Sequence, residues 1–211
     1  MVKWIDYDVK LYGDIISEED IVRKIENAYR TCYNTNYKIE NESIEDSLKF
    51  VLDKMKLGHG SPLEHVIFTF DVTIDRGILA EWTRHRIGSS YSISSTRYIK
   101  YDSDIECIMP TQLRTIDLSL QDIFIKGVEE ACNSYQELLR NNVSPQNARG
   151  VLPQCLKVKG IITHNLRALL HLLDLRYFGK AGTPHPDFKY VMDKLYKVLL
   201  GHYPYIFSSL C

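Results

Sequence analysis

Between Val66 and Ile74 the apolar residues Val66, Phe68, Phe70, Val72 and Ile74 alternate with Ile67, Thr69, Asp71 and Thr73, the two-residue period of a strand with one mainly polar face. Val2 to Leu11 alternates in the same way and predicts an N-terminal strand. Elsewhere the period lengthens to that of helices. Ser17-Glu18-Glu19-Asp20 resembles a capping box, and Ile21, Ile25, Ala28 and Cys32 follow on one helical face. Ser43-Ile44-Glu45-Asp46 repeats the start signal, and Ile44, Leu48, Leu52 and Met55 carry it to Gly58, a helix stop. Arg76 to Arg86 reads as a helix with Ile78, Leu79 and Trp82 inward. A longer helix spans about Leu120 to Arg140, with Ile125, Val128, Cys132, Tyr135 and Leu139 on its apolar side. Ser144-Pro145 opens a short helix that Pro153 closes. A last helix runs from Asp187 to Leu200, with Gly201 and Pro204 beyond. Helices with strands between them, not in strict alternation, predict an α+β fold. No internal repeat or Ser/Gly-rich linker divides residues 1–211, which reads as a single domain.

One helix differs from the rest. In Asn165-Leu166-Arg167-Ala168-Leu169-Leu170-His171-Leu172-Leu173-Asp174-Leu175-Arg176 leucines cover nearly the whole circumference, which marks a buried helix. Arg167, His171 and Asp174 fall on one polar stripe, whereas Arg176 lands opposite, among Leu169, Leu172 and Leu173. A buried unpaired guanidinium is too costly to be incidental. Arg176 therefore has an anionic partner, escapes at the helix end where cations are favoured, or lines a ligand cavity.

Composition narrows the field. With 26 Lys plus Arg against 27 Asp plus Glu, the formal net charge is -1, so no excess of positive charge points to a long polyanion and nucleic acid is not expected as a partner. No stretch approaches the roughly 20 apolar residues of a membrane span, and the opening MVKWIDYDVK has no secretory pattern. A cytosolic (cytoplasmic) protein without a membrane partner is the expectation. Cys32, Cys107, Cys132, Cys155 and Cys211 are an odd number, widely spaced and without a C-x-x-C pair, which predicts reduced thiols and no zinc site.

Arg84-His85-Arg86-Ile87-Gly88-Ser89-Ser90-Tyr91-Ser92-Ile93-Ser94-Ser95-Thr96-Arg97-Tyr98 joins three basic groups to a hydroxyl-rich loop and a further arginine, with little acid nearby. Guanidinium forks match phosphate oxygens in pairs, and hydroxyls and loop amides supply further donors. Composition does not separate phosphate binding from a solvated loop. His59-Gly60-Ser61-Pro62-Leu63-Glu64-His65 links a helix to the main strand, and its histidines lack the spacing of a zinc protease. His59, His65 and His164, taken singly, read as satisfied structural histidines. No Walker loop and no G-x-G-x-x-G is present.

Together these blocks resemble the flavin-dependent thymidylate synthase family, whose signature is Arg-His-Arg, about seven residues, then Ser-x-Arg-Tyr. Here it is matched by Arg84-His85-Arg86 and Ser95-Thr96-Arg97-Tyr98. The likeness extends to His59-x-Ser61-Pro62-x-Glu64-His65, to Ala148-Arg149 with Leu152-Pro153, and to Asn165-x-Arg167 with Leu175-Arg176. It implies that family's α+β fold, an antiparallel-rich sheet flanked by helices, in a homotetramer with sites shared between subunits. It places His59, Ser61, Glu64, Arg84, His85, Arg86, Asn165, Arg167 and His171 at FAD. It places Glu81, Arg84, Ser95, Thr96, Arg97 and Arg149 at deoxyuridine monophosphate, dUMP. Arg176 would sit against the pyrimidine and favour ionisation at N3, as the catalytic residue. The implied reaction moves a methylene group from methylenetetrahydrofolate to carbon 5 of uracil, giving dTMP, with reduced flavin delivering the hydride and NADPH re-reducing it. No metal and no nucleophilic side chain is assigned.

Three departures are visible. Eight residues, Ile87 to Ser94, stand where seven are usual, so that Ser94 competes with Ser95 for the signature role; Glu81 replaces a frequent glutamine; and His171 replaces a frequent asparagine. The family's later flavin histidine is unassigned, with His185 the candidate. Two other classes are open on the residues themselves: a non-catalytic nucleotide- or RNA-binding module that uses the Arg84 to Arg97 loop with Tyr91 and Tyr98 as stacking platforms, and an oligomerisation domain whose arginines pair between subunits.

Overall fold

In the computed structural model, residues 1–36, 39 and 42–209 are described. The chain folds as β1 (Val2–Ile5), β2 (Asp8–Leu11), α1 (Glu18–Thr31), α2 (Ile44–Lys56), β3 (Ile67–Asp75), α3 (Arg76–Trp82), β4 (Ser89–Ile93), β5 (Ile105–Ile108), α4 (Leu118–Arg140), α5 (Pro145–Ala148), β6 (Lys157–Asn165), α6 (Leu166–Arg176), α7 (Pro186–His202) and α8 (Pro204–Ser209). The order is α+β. A four-stranded antiparallel sheet, β2-β3-β6-β4, is joined by a separate parallel pair, β1-β5.

The local signals work as their chemistry requires. Ser17 and Ser43 each accept from the backbone amide three residues on, at 3.1 Å, starting α1 and α2. Asp75 caps α3 by accepting from Ile78 N at 2.7 Å, and Asn165 caps α6 by accepting from Ala168 N at 2.8 Å. Ser144 precedes Pro145 at the start of α5, yet its side chain makes no capping bond.

Several elements differ from the sequence expectation. The N-terminal strand is two strands: β1 pairs with β5 and β2 with β3, and between them Tyr7 turns inward to donate to Asp75 at 2.6 Å. The helix expected to reach Arg86 stops at Trp82. β6, unforeseen, is the central partner of the sheet, because its core-facing positions are Val158, Gly160, Ile162 and His164, and only two of these look apolar. A side chain at Gly160 would meet Ile93 Cδ1 at 2.5 Å, so a small residue is needed for β4 to approach. The serine-rich segment expected as a loop supplies β4 on that edge.

Two hydrophobic clusters form. The main one packs one face of the large sheet against α1, α6, α7 and α8. The second gathers Ile105, Cys107, Val128, Cys132, Tyr135, Ala148, Cys155 and Leu156 around β5 and α4. Cys32, Cys107, Cys132 and Cys155 are free thiols, as expected, and Cys211 lies outside the described residues. Among the described residues no helix is long and apolar enough to cross a membrane, and no cluster of metal-ligating side chains forms.

Candidate active site

The Arg-His-Arg segment is a turn between α3 and β4. It is held by the Tyr91 hydroxyl, which lies against the carbonyls of Trp82 and His85. Gly88 takes φ +69° there and its carbonyl accepts from Asn165 N at 2.8 Å, so the turn is stitched to the start of α6. His164, directly below, is fully buried. Its Nε2 accepts from Trp82 Nε1 at 2.9 Å and its Nδ1 pairs with Ser89 Oγ at 2.7 Å. Burial pushes it down to about 4, so it is a neutral structural histidine. His59 and His65 are instead exposed, against the expectation of satisfied structural histidines for both.

The end of α6 returns to this turn. Arg176 Nε donates to His85 Nε2 at 3.1 Å, Nη1 lies 3.4 Å from Glu81 Oε2, and the guanidinium stands over the Phe188 ring at 5.3 Å. Burial, then the neighbouring guanidinium, holds His85 down to about 4, which keeps its ring neutral and an acceptor. The His171 and His85 rings meet edge-on at 6.3 Å, and His185 Nδ1 lies 3.4 Å from Glu81 Oε1. Of the three outcomes open to Arg176, two occur together: it reaches the helix end with its side chain 24% exposed, and it has an anionic partner. On the polar stripe expected of α6, Arg167 and His171 are exposed and Asp174 is half-buried.

Three groups of the candidate residues emerge within one chain. Glu81, His85, His171 and Arg176 make the first. In the second, Arg167 pairs with Glu64 at 2.7 Å close to Asn165, while His59 and Ser61 are exposed at the 3-10 turn Ser61–His65. In the third, the Arg149 guanidinium donates to the buried Thr96 hydroxyl at 3.3 Å, Ser95 Oγ accepts from Arg97 N at 3.3 Å, and Arg97 stands over Tyr98. Among the described residues no hydrogen bond or ion pair joins the third group to the first. Of the two candidate serines, Ser94 Oγ accepts from Lys159 N at 3.0 Å at the sheet edge, while Ser95 lies in the loop beyond.

The arginines divide by partner. Arg23, Arg30, Arg114, Arg140, Arg167 and Arg176 pair with carboxylates. Arg84, Arg86, Arg97 and Arg149, together with Arg76, have no carboxylate partner among the described residues. A donor set of uncompensated guanidiniums beside amide and hydroxyl groups fits a phosphorylated cofactor and a phosphorylated substrate. Of the two tyrosines offered as stacking platforms, Tyr91 is half-buried with its hydroxyl held by the turn, and Tyr98 is 78% exposed. Phe188 lies within the last helix expected from the sequence, and no sequence signal marked it as the platform for Arg176.

An α+β sheet protein with arginines that have no carboxylate partner among the described residues presents donors that suit phosphorylated ligands. Comparison with known proteins is more specific. Residues 14–205 match the family described as Thymidylate synthase complementing protein. A flavin-dependent thymidylate synthase of Geobacter sulfurreducens is 33% identical over 159 residues, 73% of this chain and 68% of that protein. One of Haloarcula marismortui is 30% identical over 206 residues, covering 80% of this chain and 82% of the relative. The fold is also that of the UMP/dUMP methylase PolB from Streptomyces cacaoi, solved with 5-Br dUMP, at a TM-score of 0.82 and 20% identity over 99% of this chain and 96% of that one. The chain belongs to the flavin-dependent thymidylate synthase family.

Proposed function

We propose that the protein is a methyltransferase of nucleotide biosynthesis that makes dTMP from dUMP, with methylenetetrahydrofolate as carbon donor, FAD as hydride carrier and NADPH as reductant. The observation that carries the reading is Arg176, a half-buried guanidinium oriented by His85 and Phe188 and only loosely held by its carboxylate. Its in-plane donors suit the N3 edge of a pyrimidine, where they stabilise negative charge as carbon 5 becomes nucleophilic. Neutral His85 fixes the orientation without adding a second positive charge.

Arg84 and Arg86, together with His59, Ser61, Glu64, His85, Asn165, Arg167 and His171, form the FAD-binding set, and bound FAD supplies the hydride that completes the methyl group. Ser95, Thr96, Arg97 and Arg149, with Arg84, form the dUMP-binding set, and Glu81 borders it through its contact with Arg176. Because no hydrogen bond or ion pair joins the Arg149 group to Arg176 among the described residues, the same proposal has neighbouring copies complete each site in a homotetramer. Exposed Leu118, Leu120 and Ile123 on α4, at 75%, 52% and 68%, and Ile87 at 93%, favour such burial. The whole of residues 1–211 acts as one domain, in the cytoplasm.

The test is direct. Purified protein supplied with FAD turns yellow, and with dUMP, methylenetetrahydrofolate and NADPH it yields dTMP. A folded protein that binds no flavin at micromolar concentrations overturns the proposal.

A further inference from the structure

A carboxylate is an unexpected occupant of a site that takes a phosphorylated substrate, and Glu81 is placed at its centre. Its two oxygens have separate partners, Oε2 with Arg176 Nη1 and Oε1 with His185 Nδ1, each at 3.4 Å. Both contacts are long beside the 2.6 and 2.7 Å pairs that Arg30 makes with Glu42 and Glu26, so the hold is electrostatic more than hydrogen-bonded. Arg176 needs no carboxylate for its orientation, since His85 accepts from Nε and the Phe188 ring lies beneath the guanidinium plane. Glu81 therefore contributes charge balance, and little geometry, to the ligand-free chain.

We propose that Glu81 is a resident anion that occupies Arg176 in the ligand-free protein and is exchanged for the acceptor atoms of the pyrimidine when the nucleotide binds. The inference rests on the function proposed above and adds to it: Glu81 sets nucleotide affinity through Arg176, as a positioning residue that does not touch the reacting atoms. His185 Nδ1, 3.4 Å from Oε1, remains beside the released carboxylate as a second polar partner. A glutamine at this position keeps the shape, removes the competing charge and leaves Arg176 open.

Calorimetric titration of the FAD-loaded protein with dUMP decides the matter. Glu81→Gln tightens the Kd by about fivefold, the scale of a partly exposed ion pair. In an Arg176→Gln background the same substitution changes the Kd by less than about twofold, because the competitor has lost the group it competes for. An unchanged or weaker Kd for Glu81→Gln alone, with dUMP still bound by the unsubstituted protein, overturns the inference and leaves the proposed function standing. Equal tightening in both backgrounds also overturns it, since Glu81 then acts by repulsion and not through Arg176. A protein that binds no dUMP in any form overturns the proposed function, and this inference with it.

Discussion

Arg30 and Arg176 are the same residue type in nearly the same setting, in the last turn of a helix, over a phenylalanine ring and beside a carboxylate, and they behave differently. Arg30 stands 4.3 Å over Phe50, gives Nε to Glu26 at 2.7 Å and holds both oxygens of Glu42 at 2.6 Å. Its side chain is only 7% exposed. Arg176 has a single long carboxylate contact and a neutral histidine, and is 24% exposed. A guanidinium that is fully engaged holds the fold together, and one that keeps donors free is available to a ligand. The contrast lies in the partners' geometry, which composition does not reveal.

The contrast breaks most sharply at Arg176. Arg176→Ala lowers kcat by about 100- to 1000-fold, the range for losing one preorganised charge-stabilising group, while circular dichroism and the melting temperature stay close to those of the parent. Retained turnover removes Arg176 from the chemistry. Arg30→Ala does the reverse. It leaves Glu26, fully buried, without its closest cation, costs about 3 kcal/mol of stability in urea unfolding, and leaves dUMP turnover per folded molecule unchanged. A loss under about 0.5 kcal/mol would show that Arg30 is as loosely bound as Arg176.

Smaller effects sharpen the picture. Gly88→Ala forces a side chain into a left-handed turn and against Asn165, with contacts of 2.5 Å; it costs about 1 to 2 kcal/mol and weakens FAD binding more than dUMP binding, as equilibrium titrations of each ligand will show. The smallest effect is with pH. His85 and His164 are held near 4 when folded, against 6.5 ordinarily. The unfolded chain thus binds the extra protons between these values, and stability present above pH 6.5 is lost as the pH falls toward 4. Urea unfolding at several pH values checks this, with a shallower slope expected for His164→Asn; an equal slope in the two proteins would show that His164 is not held neutral by the fold.

Much of the fold was legible because its signals are local. The serine caps of α1 and α2, the alternation of β3 and the leucine-covered α6 are each decided within a few residues. The misses are long-range. Gly160 and His164 hide the period of β6, since one is chosen for the approach of Ile93 and the other for its bond to Trp82. Likewise, nothing near Asp6 and Tyr7 announces that the chain changes sheets, because the cause is Asp75, far along the sequence. At the site, the polar stripe of Arg167 and His171 and the need of Arg176 for a partner followed from helical geometry. That Glu81, His85 and Phe188 supply the partners did not, because those contacts join α6 to α3 and the turn after it, far back in the sequence, and to α7.

The most direct test of the central claim is a titration of the FAD-loaded protein with dUMP, followed through the flavin's visible absorbance, for the parent and Arg176→Ala. The account predicts a saturable spectral change in the parent and, in the variant, retained flavin absorbance with that change lost or moved to far higher dUMP. Identical titration curves for the two proteins would contradict it.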